Sequence, residues 1–269
     1  LSLAPLPARE PDAGRPSQAR FTDALLGGRD NYAVDRAWVE RVLEVAPQAR
    51  EVAREHRAFA GRALRLLAAG RGVEQFLDLG SGLPHRDNTH QVVQRYRPGA
   101  RVVYLDNDPV VLAHGRALLE ENDSTHVVDA DLTRPDEALT AATKHLDLDE
   151  PVGLLMCGVV HHITDTATAT RVVREWTAAL PAGSYLVLTH HCDPGGAHSG
   201  LVRTYDERLR GTELAGVHRA LPEVEAMLAG LEPVPPGLVP LHAWWPDGPR
   251  LDPLTPLHDT VIGVVAHKP

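Results

Sequence analysis

Apolar positions beyond the first quarter of the chain fall into short continuous runs, and each run stops abruptly at acidic, glycine or histidine residues. The runs within Phe76–Pro84, Arg101–Val111, His126–Pro135, Gly153–Val160 and Ser184–Thr189 have the length and β-branched content of buried strands. Pro109–Leu119 reads as the helix after the second run, and Glu223–Ala229 as a helix after Pro222. Leu238–Trp245 and Val261–His267 read as two late strands. The first quarter differs. Within Trp38–Leu43 and Val52–Leu67 apolar residues recur at helical spacing with arginines and glutamates opposite, and the helical pattern breaks at Gly27–Gly28 and at Pro47. Strands alternating with helices predict an α/β fold around a parallel sheet, with a helical cap over 19–70 in front of a core over 71–269.

Chemistry concentrates where the runs end. Phe76–Pro84, FLDLGSGLP, passes from an apolar strand through Asp78 into Gly80, Ser81 and Gly82. Glycines let a backbone turn sharply and approach a ligand, with the N–H groups of the next helix start facing it; a plain tight connection uses the same residues. A dinucleotide fingerprint would continue to a third glycine, and that position is His85. A nucleotide-like cofactor without a diphosphate fits better.

The second run ends in Asp106, Asn107, Asp108. Asp106 directly follows VVYL and is placed to accept ribose hydroxyls, whereas Asp108 precedes Pro109 as a helix cap. After the third run, Asp131 can take the exocyclic amine of an adenine while Leu132 packs on the ring; Asp129 reads equally as a solvated turn acid. His161 and His162 follow the fourth run, His190 and His191 the fifth. Ligands of open α/β sheets bind at the carboxyl ends of strands, so the five tips share one crevice.

These tips resemble a class I methyltransferase that uses S-adenosylmethionine. The segments Ala19–Arg36, FLDLGSGLP, Val102–Leu119, Gly158–Ile163, Gly183–His190 and Leu221–Pro246 are similar to the actinobacterial S-adenosyl methyltransferase family long carried as a domain of unknown function. The resemblance covers nearly the whole chain after about Ser17. It implies a Rossmann-like, mostly parallel seven-stranded sheet with a final antiparallel hairpin, helices on both faces and an N-terminal helical cap. It implies S-adenosyl-L-methionine as cofactor, held by Asp78, Gly80, Ser81, Gly82, Asp106, Asn107, Asp131, Leu132 and Gly158, and it implies no particular substrate. In the turn Gly27–Tyr32 it favours contact of Asp30, Asn31 and Tyr32 with cofactor or substrate, where the residues alone also allow helix caps.

Methyl transfer from a sulfonium needs alignment more than acid–base help, and a base is required only if the acceptor carries a proton. His162 and His190 are the candidate bases, and His161, His191, Arg203 and Tyr205 the candidate substrate contacts; a histidine hydrogen-bonded within a loop is the alternative for each. Neighbours on an extended segment point to opposite sides, so one histidine of each pair is expected to face the pocket. His191–Arg203 reads as a long polar loop, either a substrate lid or a solvated linker. His85 and His90, placed on the first core helix, lack ligand-pair spacing, and no metal is expected.

Composition narrows the partners. A chain of 269 residues suits one α/β domain, and a net charge of −9 opposes nucleic acid. The fourth strand runs into Cys157–Val160 rather than an N-P-P-Y-type clamp for amino groups, which favours a small-molecule acceptor of the secondary-metabolite kind. Leu1–Gln18 reads as an unstructured tail, neither signal peptide nor membrane span, and Cys157 and Cys192 form no C-x-x-C pair, as in a cytoplasmic protein. The helical cap leaves a homodimer open. Two competing readings are a methyltransferase-fold protein that binds S-adenosylmethionine without transferring methyl, as a cyclising or pericyclic catalyst or a regulator, and a nucleotide-dependent oxidoreductase.

Overall fold

The computed structural model describes residues 12–249 and 253–269; the tail expected over Leu1–Gln18 lies outside the described residues as far as residue 11. Three helices come first, α1 (Gln18–Leu26), α2 (Ala33–Val45) and α3 (Ala49–Arg65), the last passing into a π turn over Leu66–Gly70. The core follows as β1 (Gln75–Leu79), α4 (Thr89–Gln94), β2 (Arg101–Asp106), α5 (Pro109–Leu118), β3 (Thr125–Asp129), α6 (Pro135–Ala142), β4 (Gly153–Cys157), α7 (Thr166–Ala179) and β5 (Tyr185–Asp193). Then come α8 (Ser199–Leu209), β6 (Arg219–Ala220), α9 (Leu221–Met227), β7 (Glu232–Pro233), β8 (Val239–Pro240) and β9 (Val261–His267).

The sheet order is β3-β2-β1-β4-β5-β9-β7, with β6 beside the end of β5 and β8 beside β9. β1 to β5 run parallel and β9 returns antiparallel between β5 and β7, the fold class expected of the sequence. Both faces are covered, which is why the strands are apolar throughout rather than alternating. One face packs Leu154, Met156 and Val264 against Trp176 of α7 and Met227 of α9; the other packs Phe76, Leu155 and Val265 against Phe59 of α3 and Trp244. The cap has a third core, in which Phe21, Val39 and Val42 meet Leu209 and Leu214 from the distant end of α8. Hydrophobic burial therefore ties the cap to the segment after β5.

Local signals explain most element ends. Ser17 caps α1 by accepting from the Arg20 N–H, and Gly27 ends it in the left-handed region at φ 80°. Asp108 caps α5 at 2.8 Å from the Val110 N–H, as its place before Pro109 predicts. Residues 12–18, expected within the tail, include the start of α1, and the Ser17 N–H donates to Asp35. Asp35 is fully buried beside Arg20 at 2.9 Å and also accepts from the Tyr32 N–H at 2.8 Å.

Three expected elements are corrected. Only Val239–Pro240 of Leu238–Trp245 is strand; beyond it the chain turns in a 3-10 helix, and the carbonyls of Leu241 and Trp244 accept from the buried Arg62 guanidinium instead of a ladder. The loop expected over His191–Arg203 is short, because β5 continues to Asp193 through pairing with β9 and β6, and α8 begins at Ser199. His85 precedes α4 and does not share its helix with His90. Among the described residues no helix is long and apolar enough to cross a membrane.

Candidate functional site

A cavity of about 630 Å³ lies over the carboxyl ends of β1, β2, β4 and β5, roofed by α1, α3 and α8. That size is typical of small-ligand sites, roughly 300–1,000 Å³. It has two ends.

The first end is the glycine turn. Gly80 and Gly82 have φ of 64° and 67°, which other residues rarely adopt. A Cβ at Gly80 would lie 2.4 Å from the Val159 side chain, whereas one at Gly82 would meet nothing within 4 Å. Packing therefore demands the first glycine, and the second lies beside open space. The turn's own N–H groups are engaged within the fold: those of Gly80 and Ser81 donate to the Leu105 carbonyl at 2.7 and 3.3 Å, and that of Gly82 to Asp106 Oδ2 at 2.9 Å. Nor does the turn feed a helix directly, since α4 starts at Thr89.

Asp106 also accepts at Oδ1 from the N–H groups of Asn107 and Asp108, at 2.8 and 2.9 Å. A carboxylate offers about four lone-pair sites, so Oδ2 retains acceptor capacity while the carboxylate plane is fixed. Burial pushes the Asp106 carboxyl up, against the pull of the three N–H groups. Asp78 accepts from the Thr89 hydroxyl at 2.6 Å, and burial pushes it up to about 6. Asp131 Oδ1 is engaged by the N–H and hydroxyl of Thr133, and Leu132 is anchored by the Trp176 indole N–H donating to its carbonyl at 2.8 Å. Asp78, Ser81, Asn107, Asp131, Leu132 and Gly158 all line the cavity. Carboxylates with spare acceptor sites around a turn open to a ligand suit a cationic nucleoside, and S-adenosylmethionine carries a sulfonium and an ammonium.

The second end is a wall of histidines. His56, His161, His162, His191 and His218 line it with Tyr205. His161 and His191 stack at 3.7 Å, His161 and His162 lie 4.0 Å apart, and His191 and His218 4.8 Å apart between ring centres. Burial holds His56 and His162 down at about 4, and His161 and His191 well below the usual range with help from the neighbouring imidazoles. His56, His161, His162 and His191 are therefore uncharged at neutral pH. Burial also pushes the Tyr205 hydroxyl up to about 12 and the Cys157 thiol higher still.

Several expected positions are corrected here. Both His161 and His162 face the cavity, because Val160–His162 is a 3-10 turn and strand alternation does not apply. His190 is inside β5 and does alternate: it is buried away from the cavity, where its Nδ1 donates to the His191 carbonyl at 2.6 Å and its Nε2 accepts from Arg219 at 2.8 Å. With both ring nitrogens engaged it has no lone pair for a substrate. Arg203 is on the exposed face of α8 and does not line the cavity. Asp30, Asn31 and Tyr32 do not line it either. The Asp30 N–H and the Asn31 amide donate to Asp23 at 3.0 and 2.7 Å, and the Tyr32 ring stacks on Arg20. The turn instead fixes Asp23, which does line the cavity. Sequence reasoning also missed His56, Arg57, Asp206 and His218. Its available signal for Asp23 was Gly28, where a Cβ would lie 1.8 Å from the Asp23 carboxylate. Among the described residues no group of three or more His, Cys, Asp or Glu is arranged to hold a metal ion.

A protein of Thermobifida fusca YX assigned as a methyltransferase is 37% identical, with TM-score 0.89 over 94% of this chain and 95% of its own. A DUF574 family protein from Streptomyces avermitilis MA-4680 is 32% identical, with TM-score 0.90 over 96% of this chain and 99% of its own. Human N-acetylserotonin methyltransferase, solved with S-adenosylmethionine, is 14% identical with TM-score 0.51 over 95% of this chain and 63% of its own, and shares the fold alone. No curated protein matches the chain. The family described as S-adenosyl methyltransferase matches residues 6–269. With that match over its whole folded length, the chain belongs to the S-adenosyl methyltransferase family, an enzyme family whose cofactor is S-adenosylmethionine.

Proposed function

We propose that the protein transfers a methyl group from S-adenosylmethionine to a small molecule held against the histidine wall. The observation that carries this reading is the single roofed cavity, which joins the glycine turn to that wall. A cavity of about 630 Å³ under a roof of helices suits a compact acceptor rather than a polymer. A net charge of −9 works in the same direction against nucleic acid. Mitomycin 7-O-methyltransferase, 19% identical with TM-score 0.53, and an O-methyltransferase family 2 protein in complex with apigenin, 19% identical with TM-score 0.51, share this fold.

In this reading Asp106, Asp78, Gly82 and Asp131 hold the cofactor end, with Leu132 packing on the base. The bound cofactor supplies an electrophilic methyl group, and no acid is needed for its leaving sulfur. The chain's own contribution is alignment: Asp106 is fixed by three backbone N–H groups before any ligand arrives, and Leu132 is anchored through Trp176. His161, His162, His191 and Tyr205 contact the acceptor, and their burial keeps competing water away. The test is incubation with S-adenosylmethionine bearing a deuterated methyl group and a panel of small acceptors, followed by mass spectrometry. A labelled product is expected; cofactor binding without any labelled product would count for a binding protein instead.

A further inference from the structure

We propose that His218, oriented by Asp206, is the base of this transfer and that the acceptor presents a hydroxyl group to it. The inference rests on the small-molecule reading above and adds a residue and a substrate class to it. Neither residue belongs to a motif at a strand tip. His218 immediately precedes β6, which pairs with the end of β5, and the preceding Val217 N–H donates to the His161 carbonyl at 2.9 Å. Asp206 comes from α8.

His218 Nδ1 lies 2.7 Å from Asp206 Oδ1, and the His218 backbone N–H donates to Oδ2 at 3.3 Å. An ionised carboxylate only accepts, so the ring proton is on Nδ1 and the Nε2 lone pair is left available. The His218 side chain is 3% exposed and lines the cavity. The other histidines in and beside the wall lack this arrangement, and His56 Nδ1 is engaged by the Thr189 hydroxyl at 3.1 Å. His190 has both nitrogens engaged. His162 Nδ1 donates to the Ala215 carbonyl, which gives an imidazolium no countercharge, and burial opposes its protonation. His161 and His191 are surrounded by other imidazoles. His218 has a carboxylate that both selects the tautomer and stabilises the charge when Nε2 takes a proton.

The acceptor class follows from what surrounds the ring. His191 at 4.8 Å and Tyr205 at 5.6 Å are its aromatic neighbours, and Asp206 is committed to His218. Glu213 pairs with Arg15 at 3.2 Å, and Asp78, Asp106 and Asp131 belong to the cofactor end. Among the described carboxylates lining the cavity, Asp206 and Glu213 are paired and Asp23 is bonded to the Asp30 N–H and the Asn31 amide, an arrangement that disfavours an ammonium, whereas a hydroxyl needs only an acceptor for its proton. The step balances. The hydroxyl proton passes to Nε2, the oxygen forms the bond to the methyl carbon as the carbon–sulfur bond breaks, and the bonding pair stays on sulfur as the neutral thioether of S-adenosylhomocysteine.

Two measurements test this. Nitrogen-15 NMR of the ligand-free protein reads ring tautomers directly and is expected to show His218 protonated at Nδ1. In Asp206→Asn the carboxamide can donate, and the proton is expected to move to Nε2. A His218 ring protonated at Nε2 in the wild type would overturn the assignment. The second measurement follows labelled methyl transfer to catechol, apigenin and benzylamine. Labelled product is expected from the phenols, with a loss of about 10²- to 10³-fold in kcat for His218→Ala and for the size-matched His218→Gln. Both variants should still unfold cooperatively and keep the wild-type S-adenosylhomocysteine affinity, although loss of the Asp206 partner lowers the melting temperature. Phenol products with wild-type rates in folded variants would overturn the base, products on benzylamine alone would overturn the hydroxyl class, and bound cofactor with no product would overturn the underlying transfer reading.

Discussion

The two ends of the cavity are built differently. At the glycine turn each carboxylate is held by groups close in sequence or one strand away: Asp106 by Asn107, Asp108 and Gly82, Asp131 by Thr133, Asp78 by Thr89. At the histidine wall the groups arrive from α3, the turn after β4, β5, α8 and the segment before β6, and they meet mainly as rings in contact. One end is a rigid frame of acceptors suited to a cation. The other is a desolvated surface on which burial keeps His56, His161, His162 and His191 uncharged. In the reaction proposed above, that division separates holding the donor from handling the acceptor's proton.

Acid should destabilise the buried imidazoles, those of the wall and His190 beside it, before the frame. His56, His162 and His190 are depressed from 6.5 to about 4, so the native state binds fewer protons than the unfolded chain between those values. Their stabilisation is complete above 6.5 and is lost as pH falls toward about 4, by roughly 3 kcal/mol for each. Asp78 runs the other way: raised from 3.8 to about 6, it favours the native state below 3.8 and loses that contribution as pH rises through about 6. It offsets about one of the three histidines. Urea titrations are expected to show a net loss of several kcal/mol between neutral pH and about pH 4.5; a flat profile would mean that the wall is hydrated.

Next in size is Arg219, which is buried and bonds His190, Thr166 and the carbonyls of Ile163 and Thr164. Arg219→Met leaves those acceptors unpaired and should cost about 3 kcal/mol in chemical denaturation. Gly80→Ala combines a left-handed backbone with a clash against Val159 and should cost about 2 kcal/mol, against about 1 kcal/mol for Gly82→Ala, where space is open. The reverse order would refute the packing role assigned to the first glycine. The smallest effect concerns Asp78. A cationic cofactor favours its ionised form, so calorimetric affinity for S-adenosylmethionine should be about tenfold weaker at about pH 5 than at neutrality, and Asp78→Asn should remove that dependence.

The frame was legible because its parts are contiguous: an apolar run, an acid and a glycine turn can be read together in FLDLGSGLP and VVYLDND. The parallel sheet followed from the same runs. The wall was legible only where it touches a strand tip. His161, His162 and His191 could be placed near the crevice, but which ring faces it depends on a 3-10 turn in one case and strand alternation in the other. His56 sits on an amphipathic helix, where it looks like any polar position. His218 and Asp206 are twelve residues apart and meet only because the chain after α8 folds back to β5. Asp30–Tyr32 was misread for a related reason: its polar groups are captured by Asp23 and Asp35 across the turn.

The most direct test of the two-ended site is calorimetric titration of S-adenosylhomocysteine into the wild type, Asp106→Asn and His218→Ala. Asp106→Asn is preferred to alanine because its amide oxygen can still accept from the Asn107 and Asp108 N–H groups, whereas Asp106→Ala would orphan all three donors. A loss of about 100-fold in affinity for Asp106→Asn, some 2.7 kcal/mol, with unchanged affinity for His218→Ala is the expected result. Equal affinities for Asp106→Asn and the wild type, or a comparable loss in His218→Ala, would contradict the division of the cavity into a cofactor frame and an acceptor wall.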